Sequence, residues 1–135
     1  MERFIDYDAL AEQIGEDQAL IKFEAFKDTP PAEAIGRDFA DYIMAKLPEG
    51  FMTFDRSEWG LESPDSDSFL EWCEQYHFKA PSLNAEIFIE VGNYHYFVSI
   101  DTPEFSEGET VKYQDHIIEF LIEWAEIIKQ EEKTQ

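Results

Sequence analysis

Two β-rich runs around a glycine–asparagine pair constrain this chain more than any other stretch. AEIFIEV precedes Gly92-Asn93 and YHYFVSID follows it, which predicts a β-hairpin over 85–101 with a two-residue loop. In that register, Phe88 would lie opposite Phe97. Side chains alternate across a strand, so one face of the hairpin is apolar throughout and is expected to lie on the core: Ala85, Ile87, Ile89, Val91, Tyr94, Tyr96, Val98 and Ile100.

The opposite face of the predicted hairpin mixes carboxylates with aromatic rings. Its members are Glu86, Phe88, Glu90, His95, Phe97, Ser99 and Asp101. A solvated face would not need Phe88 and Phe97, and a second core face would not tolerate Glu86 and Glu90. Either a loop or helix edge covers the two rings while the carboxylates reach water, or the face binds a partner through an aromatic anchor ringed by negative charge.

The stretch 111–130 carries the apolar periodicity of a long helix. Its stripe comprises Ile117, Ile118, Leu121, Trp124, Ala125 and Ile128. Asp115, Glu119 and Glu123 recur at a spacing of four, with Glu126 near the same edge. Like charges at this spacing cost a few tenths of a kcal/mol per pair, and acids toward the C-terminal end oppose the helix dipole. This carboxylate edge is therefore a second candidate surface for a partner.

The remaining segments complete an α+β pattern. In the N-terminal part we predict a helix from the Asp6 cap to Gly15, a strand over 21–26 and a helix from Pro30 to about Lys46. For 21–26, a helix continuing past Gly15 is the competing interpretation. Further along the chain we predict a short strand over 51–54, a loop over 55–67, a helix over 69–78 and an acidic connection over 104–109. The expected fold is a small antiparallel sheet with the hairpin central, packed with about four helices, the last of them (111–130) the longest. A length of 135 residues predicts a single globular domain over 1–135.

The charge of the chain limits what it can bind. The formal net charge is −21, from 31 acidic and 10 basic residues, whereas a soluble domain of this size usually carries a magnitude of about 2–8. Because 44% of the residues are hydrophobic and 16% aromatic, the chain is expected to fold rather than form a disordered acidic tail. Self-repulsion destabilises a compact state, so we expect the charge to serve a function. It could bind a basic protein, imitate nucleic-acid phosphates, or serve solubility alone. Direct binding of nucleic acid is disfavoured.

Motifs for catalysis or metal binding are absent from the sequence. His77, His95 and His116 have no zinc-like spacing, and there is no CxxC, HExxH, glycine-rich phosphate loop or GxSxG elbow. We therefore expect no catalytic residues, no metal, no cofactor and no enzymatic activity. The single cysteine, Cys73, lies among apolar residues and is expected to be buried and inert. With neither a signal peptide nor a membrane span in the sequence, we expect a cytoplasmic protein without a membrane partner.

A small, acidic, aromatic-rich and motif-free chain resembles, in general character, immunity proteins and inhibitors that neutralise basic nucleases, and also phage-type DNA mimics. That resemblance is one of composition. It implies an acidic inhibitor that blocks the basic nucleic-acid-binding surface of a partner, a nuclease toxin or similar. Alternatives are a DNA-mimic anti-restriction or anti-CRISPR protein, and a small-ligand-binding or acidic adaptor domain whose charge serves solubility only. The predicted partner-binding residues are Glu86, Phe88, Glu90, Phe97, Asp101, Asp115, Glu119, Glu123 and Glu126.

Overall fold

The computed structural model describes residues 3–31, 35–63 and 67–133, with side chains as far as residue 131. In chain order the elements are β1 (Phe4–Asp6), α1 (Tyr7–Ile14), α2 (Glu16–Asp28), α3 (Asp38–Ala45), β2 (Thr53–Glu62), β3 (Phe69–Ala80), a 3-10 turn (Pro81–Leu83), β4 (Ala85–Val91), β5 (Tyr96–Asp101), β6 (Ser106–Val111) and α4 (Gln114–Lys133).

The six strands form one antiparallel sheet. Five of them lie in the spatial order β2–β3–β4–β5–β6, and the short strand β1 pairs with the N-terminal end of β3. The twelve residues of β3 make it long enough to pair β2 along one edge and both β4 and β1 along the other. The strand β4 of the hairpin lies in the middle of the sheet, and α4 is the longest helix described. These features confirm the predicted α+β fold.

The helices described pack on one face of the sheet. The α4 residues Ile117, Leu121 and Trp124 share a core cluster with every second residue of the central strands, namely Tyr76, Phe78, Ile87, Ile89, Val98 and Ile100. Ala40 and Ile43 of α3 join the same cluster. We call this the inner face. The other face, made by the intervening residues of each strand, is the outer face, and none of the described helices covers it.

The predicted division of the hairpin into two faces is confirmed, but its predicted loop is wrong. The loop has four residues, and Val91 pairs with Tyr96, while the Gly92 amide donates to the His95 carbonyl at 2.9 Å. A shift of two residues keeps the side chains of β4 and β5 on their predicted faces. It places Ser99 rather than Phe97 opposite Phe88, and Tyr94, predicted on the core face, lies in the loop and is exposed. The cause is a tertiary contact, because the buried carboxylate of Glu71 on β3 accepts a hydrogen bond from the Asn93 amide.

The helix predicted over 69–78 is wrong, since this segment is strand β3. Both of its faces are partly buried: Trp72 and Tyr76 point to the inner face, while Glu71 and Cys73 are enclosed on the outer face. A strand buried on both faces loses the alternation that identifies it in a sequence, and the spacing of its aromatics then imitates a helix. The loop predicted over 55–67 is also wrong, because β2 continues as far as Glu62; residues 64–66 lie outside the described part of the chain. The connection predicted over 104–109 is wrong from Ser106 onward, where β6 begins.

The helix predictions agree with the structure to different degrees. The α1 prediction is confirmed: the Asp6 carboxylate accepts from the amides of Asp8 and Ala9. The strand predicted over 21–26 is wrong, because the competing helix forms as α2 and leaves Ile21 63% exposed. The next helix, α3, begins at Asp38 rather than at Pro30, with residues 32–34 outside the described part. The last helix begins three residues later than predicted because Val111 ends β6.

Candidate functional site

Three cross-strand rows make up the outer face across β3–β6. The rows are Lys79–Glu86–Asp101–Ser106, then His77–Phe88–Ser99–Gly108, then Gln75–Glu90–Phe97–Thr110. Five of the predicted partner-binding residues thus lie together on one face: Glu86, Phe88, Glu90, Phe97 and Asp101. Within β4–β6, every charged side chain on this face is a carboxylate. We call this part of the sheet the β4–β6 outer face.

Aromatic rings run diagonally across the middle of the outer face. The Phe88 ring centroid lies 5.2 Å from that of His77 and 6.2 Å from that of Phe97. Phe97 lies over Gly108, where an added Cβ would come within 2.9 Å of the ring. Phe88 and Phe97 are half-buried, and mutual packing, not a described helix, supplies the cover. Part of each ring therefore remains accessible to a partner.

The carboxylates beside these rings are exposed and lack cationic partners. Glu86 and Asp101 lie directly opposite each other on neighbouring strands, an arrangement of like charges that destabilises a sheet. Asp101 accepts a hydrogen bond from the Ser106 hydroxyl. Among the described residues, neither carboxylate forms a salt bridge, although Lys79 lies opposite Glu86 on β3. The pair thus places two negative charges without a salt bridge at the edge of the aromatic row.

Glu90 differs from these two acids because it is buried. It is 8% exposed, and its Oε2 accepts from the Gln75 side-chain amide at 3.0 Å. The Gln75 amide occupies the space that a Cβ at Gly60 would fill. Burial raises the pKa of Glu90, the Gln75 hydrogen bond lowers it in part, and the neighbouring Glu62 carboxylate raises it further. Glu90 is thus the least accessible of the predicted contact residues.

We expect Glu90→Gln to stabilise the fold at neutral pH by about 1 kcal/mol, because it removes a charge that burial disfavours. A carboxyl whose pKa is raised on folding lowers stability as pH increases above its ordinary value of 4.5. The gain should therefore vanish at low pH, where Glu90 is protonated in wild type. Urea unfolding at about pH 7 and about pH 4 measures this.

The matched control for this experiment is Glu86→Gln, which removes the same charge from an exposed position on the same strand. It should give only a smaller gain, which comes from lowering the net charge and from relieving the repulsion between Glu86 and Asp101. Equal gains from the two substitutions at neutral pH would contradict a specific cost of burying Glu90.

The four predicted acids of α4 lie on the other layer of the molecule. Asp115, Glu119, Glu123 and Glu126 are exposed, on a helix that packs against the inner face. The sheet therefore separates them from the β4–β6 outer face, and the structure does not bring the two predicted surfaces together. Sequence reasoning placed Glu107 and Glu109 in a connection; they are exposed on β6, on the helix side of this edge strand.

The outer face has the form of an open surface rather than that of an enclosed site. A shallow depression between β2 and β4 is lined by side chains of both charges, among them Arg56, Lys79, Glu86 and Asp101. Within the described parts of the chain, no group of His, Cys, Asp and Glu is placed to hold a metal ion. Cys73 is fully buried as predicted, and burial, followed by the nearby Glu90 and Glu71 carboxylates, raises the pKa of its thiol.

Comparison of the chain with protein-family models, with curated proteins and with solved structures finds no match in any of the three. None of the helices that the structure describes is both long and apolar enough to cross a membrane. What the fold and the site define is a class: a two-layer α+β domain with one sheet face that no described helix covers, on which aromatic rings lie beside carboxylates that form no salt bridge with the described residues.

Proposed function

We propose that this protein is an acidic inhibitor of the immunity type, which binds the basic nucleic-acid-binding surface of a partner protein and blocks it. The partner would be a nuclease or a similar enzyme. One observation carries the proposal: the β4–β6 outer face combines accessible aromatic rings with exposed carboxylates, Glu86 and Asp101, that form no salt bridge with any described residue. A net charge of −21 supports the same conclusion at longer range.

The arrangement of the outer face suits binding to a basic protein. Phe88 and Phe97 supply apolar area that a partner can desolvate, and aromatic anchors of this kind dominate the energetics of many interfaces. Glu86 and Asp101 lie at the edge of the rings, where their charges complement a basic surface and accelerate encounter. A cationic partner would also relieve the repulsion between these two opposed carboxylates.

The acids of α4 serve a different role in this proposal. They lie on the far layer of the domain, so they act through the long-range field rather than by contact. Salt screens charges beyond about 8 Å at physiological ionic strength. We therefore expect the α4 acids to affect the rate of association at low salt, and the outer-face residues to affect the lifetime of the complex.

The alternative is a general DNA mimic directed at a restriction or CRISPR-type enzyme. A mimic places carboxylates where phosphates stand, and a DNA-binding site contacts a dense phosphate array with one charge per about 1.7 Å of helix axis. The rings of Phe88 and Phe97 have no counterpart in that array. The aromatic row therefore favours a selective inhibitor of one partner over a mimic that many DNA-binding proteins would accept.

Capture from native lysate at low salt, followed by an activity assay, tests this function. Wild-type protein, the outer-face variant E86Q/D101N and the α4 variant E119Q/E123Q are immobilised in parallel; each variant removes two exposed charges. We expect wild type to retain a nucleic-acid-cleaving or nucleic-acid-binding enzyme, and the outer-face variant to release it at lower salt than the α4 variant does.

The captured enzyme is then assayed with soluble protein added. Inhibition of its nucleic-acid cleavage or binding by wild type, weakened in E86Q/D101N, supports the proposal. If the enzyme remains fully active in excess wild-type protein, or if both variants weaken inhibition equally, the proposal is wrong. Competition by duplex DNA against several unrelated captured proteins would favour the mimic instead.

A further inference from the structure

Three of the described cations are each held by the same pair of groups, an aromatic ring and a carboxylate. The Arg3 guanidinium lies 5.1 Å from the Trp59 ring centroid and 3.9 Å from Glu74. Arg37 lies 5.2 Å from the ring of Phe54 and 3.2 Å from a carboxylate on its own helix, Asp41. Lysine follows the same rule, since Lys27 packs over Phe23 and pairs with Glu24. In each case the ring covers one side of the cation and the carboxylate neutralises it.

The β4–β6 outer face presents the same two groups without the cation. Glu86 and Phe88 are neighbours on one face of β4, about 7 Å apart along the strand, and Asp101 lies opposite Glu86 on β5. A long, flexible cationic side chain stacked on Phe88 therefore has a carboxylate beside it on the same face. The strands β4, β5 and β6 contain no lysine or arginine. Lys79 and Arg56 of the neighbouring strands line the same depression, but neither forms a salt bridge with Glu86 or Asp101.

We propose that the β4–β6 outer face recognises arginine side chains of a basic partner protein. The guanidinium stacks on Phe88, which packs against Phe97, and pairs with Glu86 or Asp101. Arginine fits better than lysine because its planar group stacks on rings, binds carboxylates through two parallel hydrogen bonds and is less strongly hydrated. This inference rests on the proposed function, and it names the chemistry by which the partner is held.

Charge excludes the other occupants that an open sheet face could take. A second copy of this chain would place the carboxylates of one β4–β6 outer face against those of the other, with no basic group from either. Nucleic acids and anionic lipids carry the same sign as the face. An arginine-bearing protein surface offers both the opposite charge and a planar group for the rings.

Hexa-arginine and hexa-lysine peptides test the inference, because they carry equal charge and differ in the group that bears it. Titration of the full-length protein by calorimetry or fluorescence anisotropy, at low and at physiological salt, gives the ratio of the two affinities. We expect hexa-arginine to bind wild type roughly threefold to tenfold more tightly, the scale of one to two ring contacts.

Two outer-face variants and one control on α4 test whether the preference for hexa-arginine arises at the β4–β6 outer face. F88L/F97L keeps the apolar bulk but removes the rings, so the arginine preference should fall to about one. E86Q/D101N should weaken hexa-arginine more than hexa-lysine, and both its positions are exposed, so folding is retained. E119Q/E123Q on α4 should weaken both peptides equally and leave their ratio unchanged. Circular dichroism checks that each variant is folded.

Equal affinity of wild type for the two peptides would overturn the inference, as would an arginine preference that survives both outer-face variants. Either result leaves the proposed function standing if the captured enzyme is still inhibited through the outer face. Conversely, an arginine preference at the rings, combined with an uninhibited enzyme, would reject the proposed function and keep the recognition chemistry.

Discussion

Leu121→Ala is expected to destabilise this protein by about 3 kcal/mol. Leu121 is fully buried at the centre of the α4 stripe, in the core cluster with the inner face of the sheet. Truncation removes apolar contacts and leaves a cavity that the neighbouring strands cannot fully close. The loss is a large share of the roughly 5–15 kcal/mol by which a domain is stable. Urea or thermal unfolding, followed by circular dichroism, measures it.

The matched control is the next residue on the helix. Ile122 is 38% exposed, so Ile122→Ala should cost less than about 1 kcal/mol. A similar cost for the two substitutions would contradict the docking of α4 on the inner face. The functional proposal depends on this docking, because α4 bound to the inner face is what leaves the β4–β6 outer face uncovered.

Glu71→Ala is the second substitution with a large expected effect, a loss of about 2 kcal/mol. Glu71 is 1% exposed and accepts the hydrogen bond of the Asn93 amide from the neighbouring loop. Without the carboxylate, the loop between β4 and β5 loses the contact that sets its four-residue form. Unfolding experiments measure the stability, and hydrogen exchange at the Asn93 amide reports on the contact itself.

Glu71→Gln is the control for this experiment, since its side-chain oxygen can still accept the same hydrogen bond. We expect it to retain most of the stability and of the Asn93 protection. If the alanine and glutamine variants were equally stable, with equal protection of this amide, Glu71 would not determine the loop.

The structure also narrows the search for a partner surface. The sequence predicted two sets of carboxylates that are unfavourable for stability, one on the hairpin and one on the last helix. It did not determine whether the two sets lie next to each other. They lie on opposite layers, and the hairpin set adjoins the half-buried rings of Phe88 and Phe97 on one face of the sheet. Within that set, Glu90 is buried, which leaves Glu86, Phe88, Phe97 and Asp101 as the residues that a partner can reach.

Local sequence patterns were sufficient to predict the faces of the hairpin strands, the apolar stripe of α4 and the cap of α1. The alternation in 85–101 assigned the side chains of β4 and β5 to the correct faces, since one of the two sets is apolar throughout, whereas Tyr94 lies exposed in the loop. The stripe of α4 and the Asp6 cap of α1 were readable for the same reason: the signal and the structure it specifies lie within a few residues of each other. The charge and the outer-face mixture of rings and carboxylates were likewise visible.

Tertiary contacts decided the rest. Strand β3 is enclosed on both faces, so its sequence carries no alternation, and only its pairing with β2 and β4 makes it a strand. The hairpin register follows from Glu71, which is distant in sequence from the loop it holds. That the outer face is open, and that α4 lies behind it, follows from where the helices pack. A sequence specifies which side chains share a face, but the other elements of the fold determine what covers it.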